Sequence, residues 1–220
     1  MPADLTHIDT WIFDLDNTLY PPECDLFALI DERMQRFVGR KTGLPADEAL
    51  ALQKRYYHEH GTTLAGLMAH HGVDPREFLD EVHEISLDRL SPDDELERGL
   101  ARLPGRRLVF TNGSARHAER VLEALGVAAL FEEIFDIEAG DLVPKPEPAA
   151  FEAIVRRHAV TPKTAAFFED LERNLAPAAA IGMTTVLVGP HAAGSAASFV
   201  DFRAPRLPPF LLEAEVGEHP

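Results

Sequence analysis

The 220-residue chain has a single cysteine, Cys24. A lone thiol excludes an intramolecular disulfide framework and any multi-cysteine metal site, and it fits a reducing compartment. Basic residues are scarce too: 21 Lys and Arg stand against 37 Asp and Glu, a net charge of −16. That field repels a phosphate backbone, so polymeric nucleic acid is not an expected partner. Long apolar runs are missing, since no stretch approaches the ~20 residues a membrane span needs. The segment from Met1 to Asp9 carries Asp4 and Asp9 with no basic cluster before an apolar run, so it does not read as a secretory signal. The expectation is a cytoplasmic protein with no membrane partner. No internal repeat is visible, and the oligomeric state stays open. What is there is ordinary: 45% apolar and 26% charged residues, enough for one sizeable core. A small anionic substrate remains compatible with the charge, because one metal ion and a lysine can reverse the local potential.

The patterning divides the chain. Trp11-Ile12-Phe13 reads as a short buried strand that stops abruptly at Asp14. Beyond Tyr20-Pro21-Pro22, helical periodicity takes over, with Leu26, Leu29, Ile30, Met34, Phe37 and Val38 at three- and four-residue spacing until Gly43-Leu44-Pro45. Further helices are expected over residues 46–60, 63–71, 75–82 and 93–102. From residue 107 strands and helices alternate: strands at 107–110, 134–136, 165–168 and 184–188, helices at 115–125, 148–158 and 171–181. Strands separated by helices of this length pair in parallel with right-handed crossovers. The fold expected is a doubly wound α/β sheet, residues 1–19 plus 91–220, with an all-helical insertion at 20–90 after the first strand. In the tail, residues 199–202 suggest an edge element and residues 208–212 a final packed turn.

In an open parallel sheet, ligands bind beyond the carboxyl ends of the strands. The polar groups of this chain gather at that edge: Asp14-Leu15-Asp16-Asn17-Thr18 after the first strand, Thr111-Asn112-Gly113-Ser114 after the second, Lys145 opening the helix before the fourth, and Glu169-Asp170 after the fourth. Asp14 and Asp16 would crowd two carboxylates together, which is costly without a cation between them. Mg²⁺ prefers oxygen ligands and keeps open positions, so Asp14, Asp170 and the backbone carbonyl of Asp16 make a suitable ligand set. Asp14 is then the candidate nucleophile, and Asp16 the candidate acid and base. Thr111, Asn112, the amides of Gly113 and Ser114, and Lys145 would neutralise a phosphoryl group, the task that dominates phosphoryl transfer. The prolines of Pro144-Lys145-Pro146-Glu147-Pro148 would hold the lysine's origin in place.

Together, Asp14-Leu15-Asp16-Asn17-Thr18, Thr111-Asn112-Gly113, Lys145-Pro146-Glu147-Pro148 and Phe168-Glu169-Asp170-Leu171-Glu172-Arg173-Asn174 resemble, in order, the four motifs of the haloacid dehalogenase-like (HAD) hydrolase superfamily. The resemblance spans nearly the whole chain. It implies a Rossmann-like HAD core, Mg²⁺, and a helical insertion acting as a mobile C1-type cap that closes over the substrate. The segment from Arg55 to Leu67 is similar to the cap of pyrimidine 5′-nucleotidases, which implies a nucleoside monophosphate such as UMP or CMP as the small phosphorylated substrate. Two departures stand out. Glu169 and Asn174 sit where many members have Gly and a second Asp, so both are outer-shell candidates. Asp16 sits where the founding dehalogenases lack an acid, which argues for phosphate esters over carbon–halogen bonds.

Several features have plainer readings. Asp-x-Asp alone is a turn or cap, and Thr111-Asn112-Gly113 alone a turn; their order along the chain lifts both. Tyr56, Tyr57, His58 and His60 either contact a base or pack a helix face. His70-His71 is expected to cap a helix end, because neighbours on a helix point ~100° apart. Arg33, Arg36 and Arg40 read as a solvated face, Cys24 and Met68 as packing residues. Phosphosugar mutases and phosphoglycolate-type phosphatases share these motifs, and a catalytically silent binding or sensor protein is the alternative of another class.

Overall fold

In the computed structural model, which describes residues 2–217, the tetrapeptide Thr10–Phe13 is buried along its whole length. A parallel strand buried on both faces reads as a continuous apolar run, which is why Trp11-Ile12-Phe13 does not alternate, while the Thr10 hydroxyl at its start is satisfied on Asp9 Oδ1. The strands are β1 (Asp4–Leu5), β2 (Thr10–Phe13), β3 (Arg106–Phe110), β4 (Glu133–Phe135), β5 (Ala165–Glu169), β6 (Thr184–Val188), β7 (Phe202–Ala204) and β8 (Glu215–Val216). Six of them form a parallel sheet in the order β4-β3-β2-β5-β6-β7. The helices are α1 (Leu26–Thr42), α2 (Ala46–His60), α3 (Thr63–His71), α4 (Pro75–Val82), α5 (Asp94–Ala101), α6 (Ala115–Ala124), α7 (Pro148–His158), α8 (Glu172–Ala180) and α9 (Leu207–Glu213). This is the doubly wound α/β architecture that the alternating pattern predicts.

The strand order explains where chemistry can occur. From β2 the chain steps outward through β3 to β4, then returns to β5 on the other side of β2. The order therefore reverses at β2, and the crevice beyond its carboxyl end is where such sheets bind ligands. Phe13 lies opposite Val109 on one side and Phe168 on the other. Its ring stacks on Phe168 at 4.6 Å, while Phe110 meets Phe151 edge-on at 5.2 Å. These rings anchor the strand ends from which the polar loops leave.

The contacts divide the chain into two units: the residues up to Cys24 with those from Leu90 onward, and Asp25–Arg89. Within the helical unit, Phe37 of α1 packs edge-on against Phe78 of α4 at 5.1 Å. Two expectations are corrected here. Arg33, Arg36 and Arg40 are not simply a solvated face: Arg40 grips both oxygens of Glu81 at 2.6 Å, and Arg33 donates to the Glu81 carbonyl at 3.2 Å, tying α1 to α4. Arg36 pairs with Glu32 on its own helix. Nor do His70 and His71 cap a helix end, because the amide of Gly72, in the left-handed region, closes α3 onto the carbonyls of Leu67 and Met68. The two rings point to different partners, His70 Nε2 lying 3.1 Å from His60 Nε2 and His71 Nε2 2.8 Å from the Tyr56 hydroxyl.

Other departures have local causes. Asp93 stands outside α5 as its cap, accepting from the amides of Glu95 and Leu96. Asp136 leaves the β4 ladder because its carboxylate accepts from the amides of Ala115 and Ala139 at 2.8 Å each. The edge strand β7 starts at Phe202 rather than spanning 199–202, and the final turn is a full helix, α9. The pairing of β1 with β8 is not legible in sequence, since two-residue strands carry no period.

A Cβ built on Gly66 would lie 2.3 Å from Cγ and 2.5 Å from Cβ of Tyr56. These are the fixed base of that side chain, so α2 and α3 approach only because residue 66 has none. Gly66→Ala is expected to destabilise the helical unit by about 2–3 kcal/mol, at the upper end of overpacking costs; urea unfolding followed by circular dichroism measures it, and an unchanged midpoint would contradict the close approach.

Candidate active site

Asp14 is the first residue past β2, and its amide still donates to the Phe168 carbonyl at 2.9 Å, so its carboxylate is delivered by the sheet itself. The chain then turns sharply. Leu19 N–H bonds to the Leu15 carbonyl at 3.0 Å, and Asn17 takes a left-handed φ of 63°, a conformation that Asn tolerates better than most residues. The turn brings Thr18 back, and its hydroxyl donates to Asp14 Oδ2 at 3.0 Å.

Lys145 is 1% exposed. It does not open a helix: α7 begins three residues later at Pro148. It lies in a loop whose backbone is clamped by the side chain of Asn112, which accepts from Lys145 N–H at 2.8 Å and donates to Lys145 C=O at 3.1 Å. The ammonium uses its three hydrogens on Asp14 Oδ1 at 2.6 Å, Glu169 Oε2 at 2.8 Å and the Phe110 carbonyl at 2.8 Å. Burial pulls its pKa down, but Asp14 and Glu169 outweigh that and hold the ammonium above the ordinary lysine value.

Around this one cation stand three carboxylates. Oxygens of Asp14, Glu169 and Asp170 lie within 4.8 Å of one another. Burial, then the charge of Glu169, pushes Asp14 up to about 7. Burial, with Glu169 and Asp14 beside it, pushes Asp170 up to about 10. Three acids against one lysine is a set short of positive charge, and hard carboxylate oxygens at this spacing suit a divalent cation such as Mg²⁺. A further observation fits. The side-chain oxygen of Asn174, buried in the first turn of α8, has no hydrogen-bond partner among the described residues, as expected of a group that receives a metal-bound water.

Asp16 is held apart from that cluster. Its Oδ1 accepts from the Tyr20 hydroxyl at 2.7 Å and lies 2.9 Å from His117 Nε2. Burial, then the Asp16 charge, raises the Tyr20 pKa, so the phenol keeps its proton and donates. Neither Tyr20 nor His117 was reachable from motif reasoning. Tyr20 reads only as the residue before Pro21-Pro22, where the pattern changes, and His117 is one polar residue on a helix whose inward face only the fold reveals. The second loop is also more committed than its sequence suggests. Thr111 Oγ1 accepts from Gly113 N–H at 2.9 Å but retains its own hydrogen to donate, while Ser114 and Asp136 cap α6.

A family model described as haloacid dehalogenase-like hydrolase matches residues 8–182. The chain belongs to this family of hydrolases. Phosphate metabolism protein 8 of Saccharomyces cerevisiae is 31% identical over 195 residues, covering 80% of this HAD-like chain and 60% of its own length. Enolase-phosphatase E1 of Frankia alni is 38% identical over 86 residues, 38% of this chain and 36% of its own. The chain thus spans less than two thirds of the length of these relatives. In fold it is similar to L-2-haloacid dehalogenase from Xanthobacter autotrophicus, with a TM-score of 0.59 at 18% identity over 93% of this chain and 97% of that one. A HAD phosphatase from Thermococcus onnurineus superposes with a TM-score of 0.61 at 19% identity, over 91% and 94% of the two chains. At such identities the likeness is one of fold.

The raised carboxyls set a pH dependence. The folded, metal-free protein keeps protons on Asp14 and Asp170 that the unfolded chain releases near 3.8. Stability from these groups is therefore complete below that value and is lost as pH rises toward about 7 for Asp14 and about 10 for Asp170. In chelator, Asp170→Asn is expected to stabilise the protein against urea more at neutral than at mildly acidic pH, with Mg²⁺ reversing the ranking. A variant no more stable at neutral pH would show that the carboxylates are not crowded.

Proposed function

We propose that the protein is a Mg²⁺-dependent phosphomonoester hydrolase working through an aspartyl-phosphate on Asp14, with a pyrimidine 5′-mononucleotide as its substrate. The observation that carries the chemistry is the pair of differently held acids: Asp14 in the Lys145 and carboxylate cluster, Asp16 on Tyr20 and His117. Two carboxylates in contrasting environments are the arrangement that separates a nucleophile from an acid–base partner. The names of the relatives, phosphate metabolism protein and enolase-phosphatase, support phosphate esters. The pyrimidine assignment rests on the segment from Arg55 to Leu67. Within it Tyr56 is engaged in packing, stacked on His70 at 5.3 Å and bonded to His71, so base recognition falls to other groups. The helical unit is read as the C1-type cap.

The steps follow from the residues. An oxygen of Asp14 forms a bond to phosphorus as the bond to the leaving oxygen breaks, and Asp16 gives that oxygen its proton. Asp16 then takes a proton from water, whose oxygen attacks the phosphorus and frees the Asp14 carboxylate with inorganic phosphate. Lys145 and the Thr111 hydroxyl stabilise charge on the phosphoryl oxygens, and Asn112 keeps Lys145 in place. Asp14, Asp170 and the backbone carbonyl of Asp16 would hold Mg²⁺, with Glu169 and Asn174 behind them. When bound, the ion neutralises the crowded carboxylates and the phosphate charge.

A phosphate-release screen across pyrimidine monophosphates, purine monophosphates and sugar phosphates tests the substrate: UMP or CMP is expected to rank first, and a sugar phosphate ahead of both sinks the pyrimidine reading. Asp14→Asn is expected to abolish turnover and phosphoenzyme trapping, and residual trapping at wild-type level would remove Asp14 as nucleophile. Asn174→Ala is expected to raise the Mg²⁺ concentration for half-maximal activity about tenfold; an unchanged requirement excludes Asn174 from the ion's surroundings.

A further inference from the structure

Two donors from distant parts of the chain converge on one oxygen of Asp16. Tyr20 arrives from the same turn, four residues on, and is 1% exposed. His117 arrives from the first turn of α6, 101 residues away, with its side chain wholly buried. Its position is fixed from behind, since Ser114 caps the helix and accepts from His117 N–H, while Asp136 accepts from Ala115 N–H. A buried imidazole could have faced the apolar core of this sheet. Here it is aimed at the carboxyl edge, onto the acid that part of the sheet presents.

The geometry has a chemical consequence. An ionised Asp16 carboxylate can only accept, so opposite it the Tyr20 hydroxyl and His117 Nε2 both carry hydrogens aimed at Oδ1. With that arrangement kept, a proton carried by the carboxyl belongs on Oδ2, because a hydrogen on Oδ1 would meet those of its two donors. We infer that His117 and Tyr20 are positioning residues that lock the Asp16 carboxyl so that proton transfer to the leaving group runs through Oδ2. The inference rests on the reading of Asp16 as acid and base, and adds two residues that no motif of the chain contains. Neither touches the phosphoryl group in this role; both act through Asp16. Misplacing a catalytic group by about 1 Å is enough to cost on the order of 100-fold in rate, so the lock is expected to matter where the leaving group needs a proton.

The test compares two leaving groups. The protein with Mg²⁺ is mixed in single-turnover amounts with an aryl phosphate, whose phenolate departs without a proton, and with an alkyl phosphate, whose alkoxide does not. Release of phenol or alcohol reports the first step alone. In His117→Ala, alcohol release is expected to fall on the order of 10–100-fold while phenol release stays within about threefold. His117→Asn, which keeps an amide donor, should recover part of the alkyl rate. Tyr20→Phe, which removes one hydroxyl, should show the same bias at smaller size, and keeps the test open if the histidine variants fold poorly. Equal losses with both leaving groups, or none with either, overturn the inference. If the unsubstituted enzyme forms no phosphoenzyme, the aspartyl-phosphate reading fails, and this inference fails with it.

Discussion

One buried ammonium organises the site. Lys145 satisfies all three of its hydrogens on Asp14, Glu169 and a β3 carbonyl, and so joins the carboxyl ends of three adjacent strands of the sheet. A buried lysine is tolerable only with such partners. Its partners in turn are tolerable as ionised groups only because of it, and because their remaining charge invites a divalent cation. The tension between burial and charge that raises Asp14 and Asp170 is one that a divalent cation at these oxygens would relieve.

The same constraint accounts for residues that would otherwise look like loop decoration. Asn112 clamps the lysine's backbone with both ends of its amide. Asp136 satisfies the first amide of α6 and an amide of its own loop, so that α6 enters the site at a fixed angle. That helix presents His117 to Asp16. Two acids two residues apart thus come to sit in different surroundings, one among carboxylates and an ammonium, the other against a phenol and an imidazole. The proposed division between nucleophile and acid–base partner rests on this difference.

The helical unit follows another logic, in which packing dominates. Gly66 lets α2 and α3 touch through Tyr56, and Arg40 and Arg33 bind α1 to α4 through Glu81. His60, His70 and His71 form a connected aromatic group with Tyr56. The segment whose sequence is similar to nucleotidase caps is thus partly a packing motif.

Sequence alone determined the architecture, because hydrophobic runs, helical periods and turn residues are local signals and the strand–helix alternation has few compatible topologies. It also determined which acids end β2 and β5, since each stands where an apolar run stops. Most expected element ends lie within a residue or two of the observed ones, and the two-residue strands were invisible for want of a period. Only the tertiary structure decided what each polar group touches. Asn112 turned from the site to a backbone, Lys145 became a buried hub, His70 found His60 instead of a helix end, and Tyr20 and His117 met on Asp16. These pairings join residues up to 131 positions apart, and no local pattern records them.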